Sequence, residues 1–513
     1  VQLAIFARPH CLIALLLGSM LILGTTVAKS QAPAAAREEA LILTPPAPDM
    51  PRINGAKLFG VRPGHPFLFT IPATGQRPME FSVDDLPAGL KVDSQTGQIT
   101  GSVADRGEYA VTFHAKNALG EAKRKFKIVC GDTLALTPHM GWNSWYIWTD
   151  RVSDKILRQA ADVMVSSGMI NHGYMYVNVD DCWSAKPRDA QGNVKSNERF
   201  PDMKALTDYI HGKGLKAGLY TSPGPVTCAN CEGAYQHEEH DARQFAAWGF
   251  DFLKYDWCSY ESVAPHADLA GLQKPYRKMG AILKKLERDM VLNFCQYGMG
   301  QVWRWGREAD GHSWRTAGDL GAPYEGIAIN IFRDGFDLYG RNELQKHSGP
   351  GAWNDPDYLL LGYLWNGKGG TSPTSLSPNE QYTQVSLWCL VTAPLIFSGD
   401  MNRLDAFTLS LLSNDEVLEV DQDPLAKAAL RVAKAGQGEV WAKAMEDGRK
   451  AVGLFNRGSR EEKVTVKWSD LGITGRQIVR DLWRQKDLGT FDEEFSAPVG
   501  RHGVVLVSLR PSP

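Results

Sequence analysis

Between Met140 and Asp400 the chain repeats one unit eight times: a short apolar run that ends in polar or reactive side chains. The runs are Met140–Trp145, Tyr174–Asp181, Leu215–Thr221, Phe250–Asp256, Val291–Gln296, Ser313–Asp319, Ala352–Asp357 and Leu395–Asp400. Several are separated by amphipathic stretches with helical period, such as Ser153–Ser167 and Met203–Lys213, which read as crossover helices. Eight such units in about 290 residues predict a central (β/α)8 barrel. A doubly wound sheet is the alternative, but eight regular strands with polar C-terminal ends favour closure.

The flanks obey a different rule. Ahead of the barrel, Phe67–Ile71, Glu80–Val83, Gly97–Ser102, Tyr109–Ala115 and Ala122–Val129 are short alternating runs divided by turn signals such as Asp84-Asp-Leu-Pro-Ala-Gly89. They predict a small antiparallel β-sandwich over residues 49–131. The stretch Leu86-Pro-Ala-Gly-Leu-Lys-Val-Asp-Ser-Gln-Thr-Gly-Gln-Ile-Thr-Gly101 resembles the Ig-like modules attached to bacterial surface and secreted proteins. Its expected role is packing or spacing rather than carbohydrate binding. After the barrel, placed at 136–427, the runs Val440–Met445, Lys450–Asn456, Lys463–Lys467, Gln477–Asp481 and Gly503–Ser508 predict a C-terminal β-sandwich over 428–513.

At the N-terminus, Arg8 precedes an apolar run from Cys11 to Gly24, and small residues follow at Thr26, Ala28, Ser30 and Ala32. This is the pattern of a signal peptide, assigned to 1–32, and implies a secreted or periplasmic protein. The run is shorter than the roughly 20 residues a membrane span needs, so no span is expected once it is removed; an uncleaved anchor is the alternative. Residues 33–48 are rich in Ala and Pro and read as a linker. Loss of Cys11 leaves Cys130, Cys182, Cys228, Cys231, Cys258, Cys295 and Cys389, an odd number and therefore at least one free thiol. Export permits disulfides without requiring them. The single CxxC, Cys228 to Cys231, has no second pair at zinc spacing, so no metal site is expected.

Composition removes other classes. With 43% apolar and 22% charged residues the chain can bury a large core, which excludes disorder as its main state. With 56 Lys and Arg against 58 Asp and Glu there is no global field to hold a polyanion, so nucleic acid is not an expected partner.

In a barrel of this kind the loops after the strand C-termini build the active site. Asp180, Asp181, Asp256, Asp319 and Asp357 all fall there, each within four residues of an aromatic or basic residue. One such Asp is more often a helix cap; five in register point to a site. A sugar with several hydroxyls calls for carboxylate acceptors, and glycoside cleavage calls for two further carboxyls as acid and nucleophile or base. Binding Mg²⁺ is the competing use of such a cluster.

Six motifs make the comparison specific: Gly141-Trp-Asn-Ser-Trp145, Asn178-Val-Asp-Asp-Cys-Trp183, Lys213-Gly-Leu-Lys-Ala-Gly-Leu-Tyr220, Leu253-Lys-Tyr-Asp-Trp-Cys258, Ser313-Trp-Arg-Thr-Ala-Gly-Asp319 and Trp353-Asn-Asp-Pro-Asp357. In that order the chain resembles glycoside hydrolase family 27 of clan D, from about Pro138 through Asp421-Gln-Asp-Pro-Leu425. The resemblance implies a retaining, cofactor-free and metal-free exo-glycosidase that removes terminal α-linked D-galactose from oligo- or polysaccharides. It implies Asp256 as nucleophile and Asp319 as general acid/base. Asp180 and Asp181 would grip the hydroxyls at positions 4 and 6, Trp145 would form an apolar floor, and Tyr220, Lys254, Gln296, Arg315 and Asp357 would make further sugar contacts. Lys254, two residues before Asp256 and on the same strand face, is expected to keep it ionised. Asp319 must carry a proton at working pH, which calls for a less cationic or more desolvated setting, with Arg315 as the disturbing charge.

Cys228 and Cys258 resemble the family's disulfide pair beside the site. Cys182 lacks its usual partner, because Trp142–Ser153 contains no Cys, and Cys231 is unfamiliar and could compete for pairing. Two further departures bear on substrate. Cys295-Gln-Tyr297 stands where many family members have Cys-Glu-Trp, and Tyr358 stands where Met is common. The intact Asp180–Asp181 pair favours galactose over β-L-arabinopyranose, which lacks the hydroxymethyl group. A β-L-arabinopyranosidase or α-N-acetylgalactosaminidase is the enzymatic alternative. A carbohydrate-binding protein on an inactive barrel is the other, and the presence of both Asp256 and Asp319 counts against it.

Overall fold

The computed structural model describes residues 41–321 and 326–513. The expected signal peptide, 1–32, and the first half of the expected linker, 33–40, lie outside the described residues.

All eight expected barrel strands form. They are β1 Met140–Asn143, β2 Tyr176–Asn178, β3 Lys216–Thr221, β4 Phe252–Asp256, β5 Val291–Cys295, β6 Ser313–Arg315, β7 Trp353–Asp355 and β8 Leu395–Phe397. They make one parallel sheet in the order β7-β6-β5-β4-β3-β2-β1-β8. Leu359, just past β7, closes the ring by a parallel bridge to Phe397: its N–H donates to the Ile396 carbonyl at 2.8 Å and its carbonyl accepts from Ser398 N at 3.1 Å. Strands β3, β4 and β5 are buried along their whole length, as parallel strands covered on both faces must be.

The crossover helices start where the sequence offers a side-chain acceptor. Helix α1, Asp154–Ser166, is capped by Ser153, and α2, Met203–Gly212, by Asp202. Helix α3 spans Glu238–Trp248, and α4, Leu269–Leu283, is capped by Asp268. In the capped helices a side-chain oxygen accepts from an amide of the first turn that has no intrahelical partner. Helix α5, Pro378–Leu390, begins with a Ser377–Glu380 capping box and is buried on every side from Glu380 onward. It lies between the barrel and the C-terminal sandwich: Trp483 donates to Ser386 Oγ from one side, and Trp388 donates to the Asp357 carbonyl on the other.

The N-terminal module has a four-stranded sheet (Leu58–Val61, Gly120–Cys130, Gly107–Asn117, Glu80–Asp84) facing a three-stranded one (Phe67–Thr70, Gln98–Gly101, Leu90–Val92). Phe69, Phe113 and Phe126 pack between them. The expectation of a purely antiparallel sandwich is corrected at one edge, where Leu58–Val61 pairs in parallel with Gly120–Cys130. In the C-terminal domain a six-stranded sheet faces an antiparallel pair, Glu462–Lys467 with Glu494–Val499, over a core of Val440, Val452, Leu454, Val466 and Phe495.

The module docks beneath the barrel, on the face opposite the carboxylates. Thr70 donates to the carbonyl of Gly214, two residues before β3. A side chain at Gly55 would meet Gly173 Cα of the barrel at 3.4 Å, so the two backbones come close there. The anchor is Arg62: its guanidinium meets Asp289 Oδ1 at 2.6 Å and donates to the carbonyls of Lys284 and Arg288 at 2.7 and 2.8 Å. Among the described residues no helix is long and apolar enough to cross a membrane.

Replacing Arg62 by Ala takes the guanidinium from Asp289, which keeps the residue-62 amide and His65 Nδ1, each at 2.9 Å, and leaves the Lys284 and Arg288 carbonyls without that donor at a half-buried seam, a loss of about 1–3 kcal/mol. Arg62→Ala is therefore expected to lower the unfolding midpoint while kcat/KM measured below the transition stays at the wild-type value. An unshifted midpoint would show that the module does not brace the barrel.

Candidate active site

Two networks of charge meet at the C-terminal mouth of the barrel. The first grows from β4. Because side chains alternate along a strand, Lys254 and Asp256 point to the same face. Asp256 is buried. Its Oδ2 accepts from the Tyr220 phenol at 3.1 Å and its Oδ1 from the Tyr297 phenol at 2.6 Å. Burial raises its pKa above the usual carboxylate range, while the charge of Lys254 and the bond from Tyr297 pull it down.

Lys254 is not bonded to Asp256. Its ammonium meets Asp180 Oδ2 at 2.9 Å and lies 5.1 Å from the centre of the Tyr220 ring and 5.3 Å from that of Tyr358. The expected ionising role of Lys254 is thus exerted through space, and its direct partner is the neighbouring carboxylate. Burial opposes the charge on Lys254, and Asp180 chiefly overcomes this, so its pKa ends above the ordinary lysine value. Asp180 Oδ2 also accepts from Asn143 Nδ2 at 2.9 Å, and Oδ1 accepts from Asp181 N at 2.9 Å. Asp181 in turn accepts from Cys182 N at 2.7 Å and from Ala229 N, in the loop after β3, at 2.8 Å. Burial raises its pKa.

The second network centres on Arg315, the last residue of β6. Its guanidinium lies 3.1 Å from Asp357 Oδ1 and 3.2 Å from Asp319 Oδ1, and it donates to the Gly318 carbonyl at 2.6 Å. Asp357 is fully buried and also accepts from the Tyr146 phenol at 2.7 Å and from Leu320 N at 2.9 Å. Burial pushes its pKa up to about 6 against the pull of Arg315. Its backbone stands at φ 95°, a region costly for a side-chain-bearing residue, and is held there by Trp388 Nε1 on its carbonyl and by Asp355 on its N–H.

Asp319 differs from the other acids: its side chain is 42% exposed. The expectation of a less cationic, more desolvated setting is corrected here, since Arg315 is its direct partner. Arg315 is itself neutralised by the buried Asp357, and exposure weakens its hold on Asp319.

Asp180, Asp181, Tyr220, Lys254 and Asp256 are therefore joined in one network and Arg315, Asp319 and Asp357 in the other. Gln296 is buried at the end of β5, with Nε2 on the Met299 carbonyl and Oε1 without a hydrogen-bond partner among the described residues. Trp145 is half-buried and joins the first network through Asn143, whose Oδ1 accepts its N–H at 2.8 Å. Cys228 and Cys258 lie at disulfide distance, with Cα atoms 4.9 Å apart, and Cys258 Sγ is 3.2 Å from the Tyr220 hydroxyl.

Sequence reasoning missed Tyr297, Tyr146 and Asn143 as members of the site. Tyr297 was visible as half of a departure, Gln-Tyr for Glu-Trp. Asn143 lies inside the first motif and Tyr146 directly follows it. The amide of Ala229 carries no signal in sequence at all.

Residues 137–423 match the family described as Alpha galactosidase A. The chain belongs to this α-galactosidase family. Residues 435–509 match the alpha galactosidase C-terminal beta sandwich domain, and residues 51–131 match an Ig domain family. An Arabidopsis thaliana protein named Alpha-galactosidase 2 is 37% identical over 388 residues, 75% of this chain and 92% of the relative. A Bacteroides fragilis protein, solved as a candidate α-galactosidase, superposes with TM-score 0.83 at 33% identity over 90% of this chain and 98% of its own. A family 27 β-L-arabinopyranosidase from Geobacillus stearothermophilus superposes with TM-score 0.65 at 25% identity, covering 74% of this chain and 97% of its own.

In this α-galactosidase fold the Tyr297 phenol favours the ionised form of Asp256, so its removal shifts the protonation of Asp256 upward. Tyr297→Phe is expected to move the acid limb of the kcat/KM–pH profile to higher pH, so activity is lost first on the acid side. A hydrogen bond to a charged group is commonly worth 1.5–3 kcal/mol, so the loss at low pH should be about tenfold or more. A profile that falls uniformly at all pH values would mean that Tyr297 serves packing alone.

Proposed function

We propose that this α-galactosidase family member hydrolyses terminal α-linked D-galactose by double displacement, with Asp256 as nucleophile and Asp319 as general acid/base. The observation that carries this reading is the contrast between the two carboxyls. Asp256 is buried and fixed at both oxygens by phenols, as a nucleophile that must meet one carbon in one orientation should be. Asp319 is half-exposed on the rim, where a leaving oxygen and then a water can reach it.

In the first step Asp256 attacks the anomeric carbon while Asp319 protonates the departing glycosidic oxygen. In the second, Asp319 takes a proton from water, which displaces Asp256 from the glycosyl ester and restores the starting configuration. Asp180 and Asp181 accept from the hydroxyls at positions 4 and 6, and Trp145 supplies the apolar floor. The unpartnered Oε1 of Gln296 suits a hydroxyl donor at position 2. Tyr220, Lys254, Arg315 and Asp357 hold these acceptors in place and contact the sugar. Substrates would be oligo- or polysaccharides ending in α-galactose. The apolar segment before residue 33 supports export, and an oxidising compartment would suit a Cys228–Cys258 disulfide, which pins the loop after β3 to the end of β4.

The Asp180–Asp181 pair sets the expected selectivity. With both carboxylates serving a galactose that keeps its hydroxymethyl group, kcat/KM should be at least about tenfold higher on an aryl α-galactoside than on the β-L-arabinopyranoside, the worth of one lost bond to a buried charge. The similarity to a β-L-arabinopyranosidase makes that the second reading, and a reversed ratio would establish it.

The two carboxyls should also fail differently. Asp256→Ala is expected to be nearly inactive on every substrate, with azide restoring turnover to a β-galactosyl azide. Asp319→Ala should lose most activity on natural galactosides but retain glycosylation on a nitrophenyl galactoside, whose leaving group needs no proton, giving a burst followed by slow turnover. Identical leaving-group dependence in both variants would overturn the assignment of roles, and a folded wild-type protein without turnover would favour a carbohydrate-binding barrel.

A further inference from the structure

Among the described residues five cysteines lie outside the Cys228–Cys258 pair, and two of them face one another. The Sγ atoms of Cys182 and Cys231 and a carboxylate oxygen of Asp181 all lie within 4.8 Å of each other. Cys130 sits in the N-terminal module, Cys295 ends β5 and Cys389 lies in α5, each buried in its own surroundings.

Both backbones are held in place by bonds that do not involve sulfur. Cys182, at φ 74°, accepts on its carbonyl from Asn197 Nδ2 at 2.7 Å and from Arg199 Nη2 at 2.8 Å. Thr227 and Cys231 close a tight turn on each other, Thr227 N to the Cys231 carbonyl at 3.0 Å and Cys231 N to Thr227 Oγ1 at 2.9 Å. Asp181 lies between the two segments, with one oxygen on Cys182 N and the other on Ala229 N of that turn. A bond between the sulfurs would tie together the two pieces of chain that orient this carboxylate.

We propose that Cys182 and Cys231 form a second disulfide, which locks the turn bearing Asp181 to the loop bearing Cys228 and so positions Asp181 for substrate. The positioning role rests on the proposed part of Asp181 in sugar binding; the crosslink does not.

The chemistry is thiol–disulfide exchange with a small oxidised disulfide such as glutathione disulfide. Cys231 is the more accessible of the two, and its thiolate attacks the external disulfide and expels one thiol. The Cys182 thiolate then attacks the mixed disulfide at the Cys231 sulfur and expels the second. Two cysteine thiols are oxidised, one external disulfide is reduced to two thiols, and the two protons pass to those thiols. The pairing of the two groups, which draws the Cys231 thiol below its usual range, suits Cys231 as the first attacker. Zinc held by the same three side chains is the competing outcome. It is disfavoured because the three side chains offer one ligand atom each, one fewer than the four of a structural zinc site.

The test is peptide mapping of the full-length protein, equilibrated in a glutathione redox buffer, quenched with iodoacetamide and digested without reduction. A peptide linking Cys182 to Cys231 is expected, beside the Cys228–Cys258 link as internal standard. Alkylation of both Cys182 and Cys231 under full oxidation, a Cys228–Cys231 link, or bound zinc in native mass spectrometry would each overturn the proposal. Cys231→Ser should lower the unfolding midpoint under oxidising conditions only. It should also raise KM for the α-galactoside about three- to tenfold with kcat nearly kept, since a displaced Asp181 loses uniform binding. A mapped link with unchanged KM would remove the positioning role, whereas absent wild-type turnover would strike the galactosidase reading and leave the peptide map standing.

Discussion

The structure depends on one electrostatic constraint: six carboxyl groups, Asp180, Asp181, Asp256, Asp319, Asp355 and Asp357, share the mouth of the barrel with two buried cations, Lys254 and Arg315. Isolated buried charges are costly, so Arg315 is shared between Asp319 and Asp357, Lys254 pairs with Asp180, and each surplus carboxylate is met by a neutral donor. Tyr220 and Tyr297 serve Asp256, Tyr146 and Leu320 N serve Asp357, the Ala229 and Cys182 amides serve Asp181, and Asn293 serves Asp355. Burial still raises Asp181, Asp256, Asp355 and Asp357 above the normal carboxylate range. A pocket rich in acceptors and short of donors suits a neutral, hydroxyl-bearing ligand and repels an anionic one. That is the demand a galactoside meets.

The remainder of the fold keeps those groups from relaxing. Asp357 is the clearest case, because its backbone conformation would not persist unaided. Trp388 holds its carbonyl, and Trp388 sits on α5, which is buried on all sides because the C-terminal sandwich covers its outer face. Trp483 of that sandwich reaches Ser386 of the same helix. A domain without a residue in the site thus fixes the carboxylate that divides Arg315 between itself and Asp319. The N-terminal module acts on the opposite end, where Arg62 ties it to the segment between α4 and β5.

The barrel was legible in sequence because its two signals agree: apolar runs of strand length, and polar residues gathered at one end of each. The carboxylates were legible for the same reason, since the end of a run is a position that sequence displays. Two of the strands that were missed lack that signal. Leu58–Val61 is short and pairs in parallel with a distant strand, and Lys486–Phe491, Lys-Asp-Leu-Gly-Thr-Phe, is nearly all exposed, so neither alternates cleanly. Within the site, sequence supplied residue types but not partners. Lys254 was read toward Asp256, two residues away, and instead bonds Asp180 from another strand. Strand spacing fixes the face a side chain points to; which neighbour it reaches depends on the barrel's curvature and on loops such as that carrying Ala229.

The same logic accounts for Tyr297 at a place where Trp is common in the family. An indole has only an N–H to offer, whereas a phenol carries its donor at the end of a long rigid side chain. Tyr297 stands at φ 62°, just past β5, and from there its hydroxyl reaches the oxygen of Asp256 that Tyr220 leaves open. Gln296, its neighbour, has meanwhile given up the charge that Glu would add to an already acidic mouth. The two substitutions act in one direction: one withholds a negative charge from the neighbourhood of Asp256 and the other adds a hydrogen-bond donor to it, and both favour its ionised form. The departure at Gln296-Tyr297 therefore supports the ionised state that the proposed nucleophilic role of Asp256 requires, rather than marking a loss of the site.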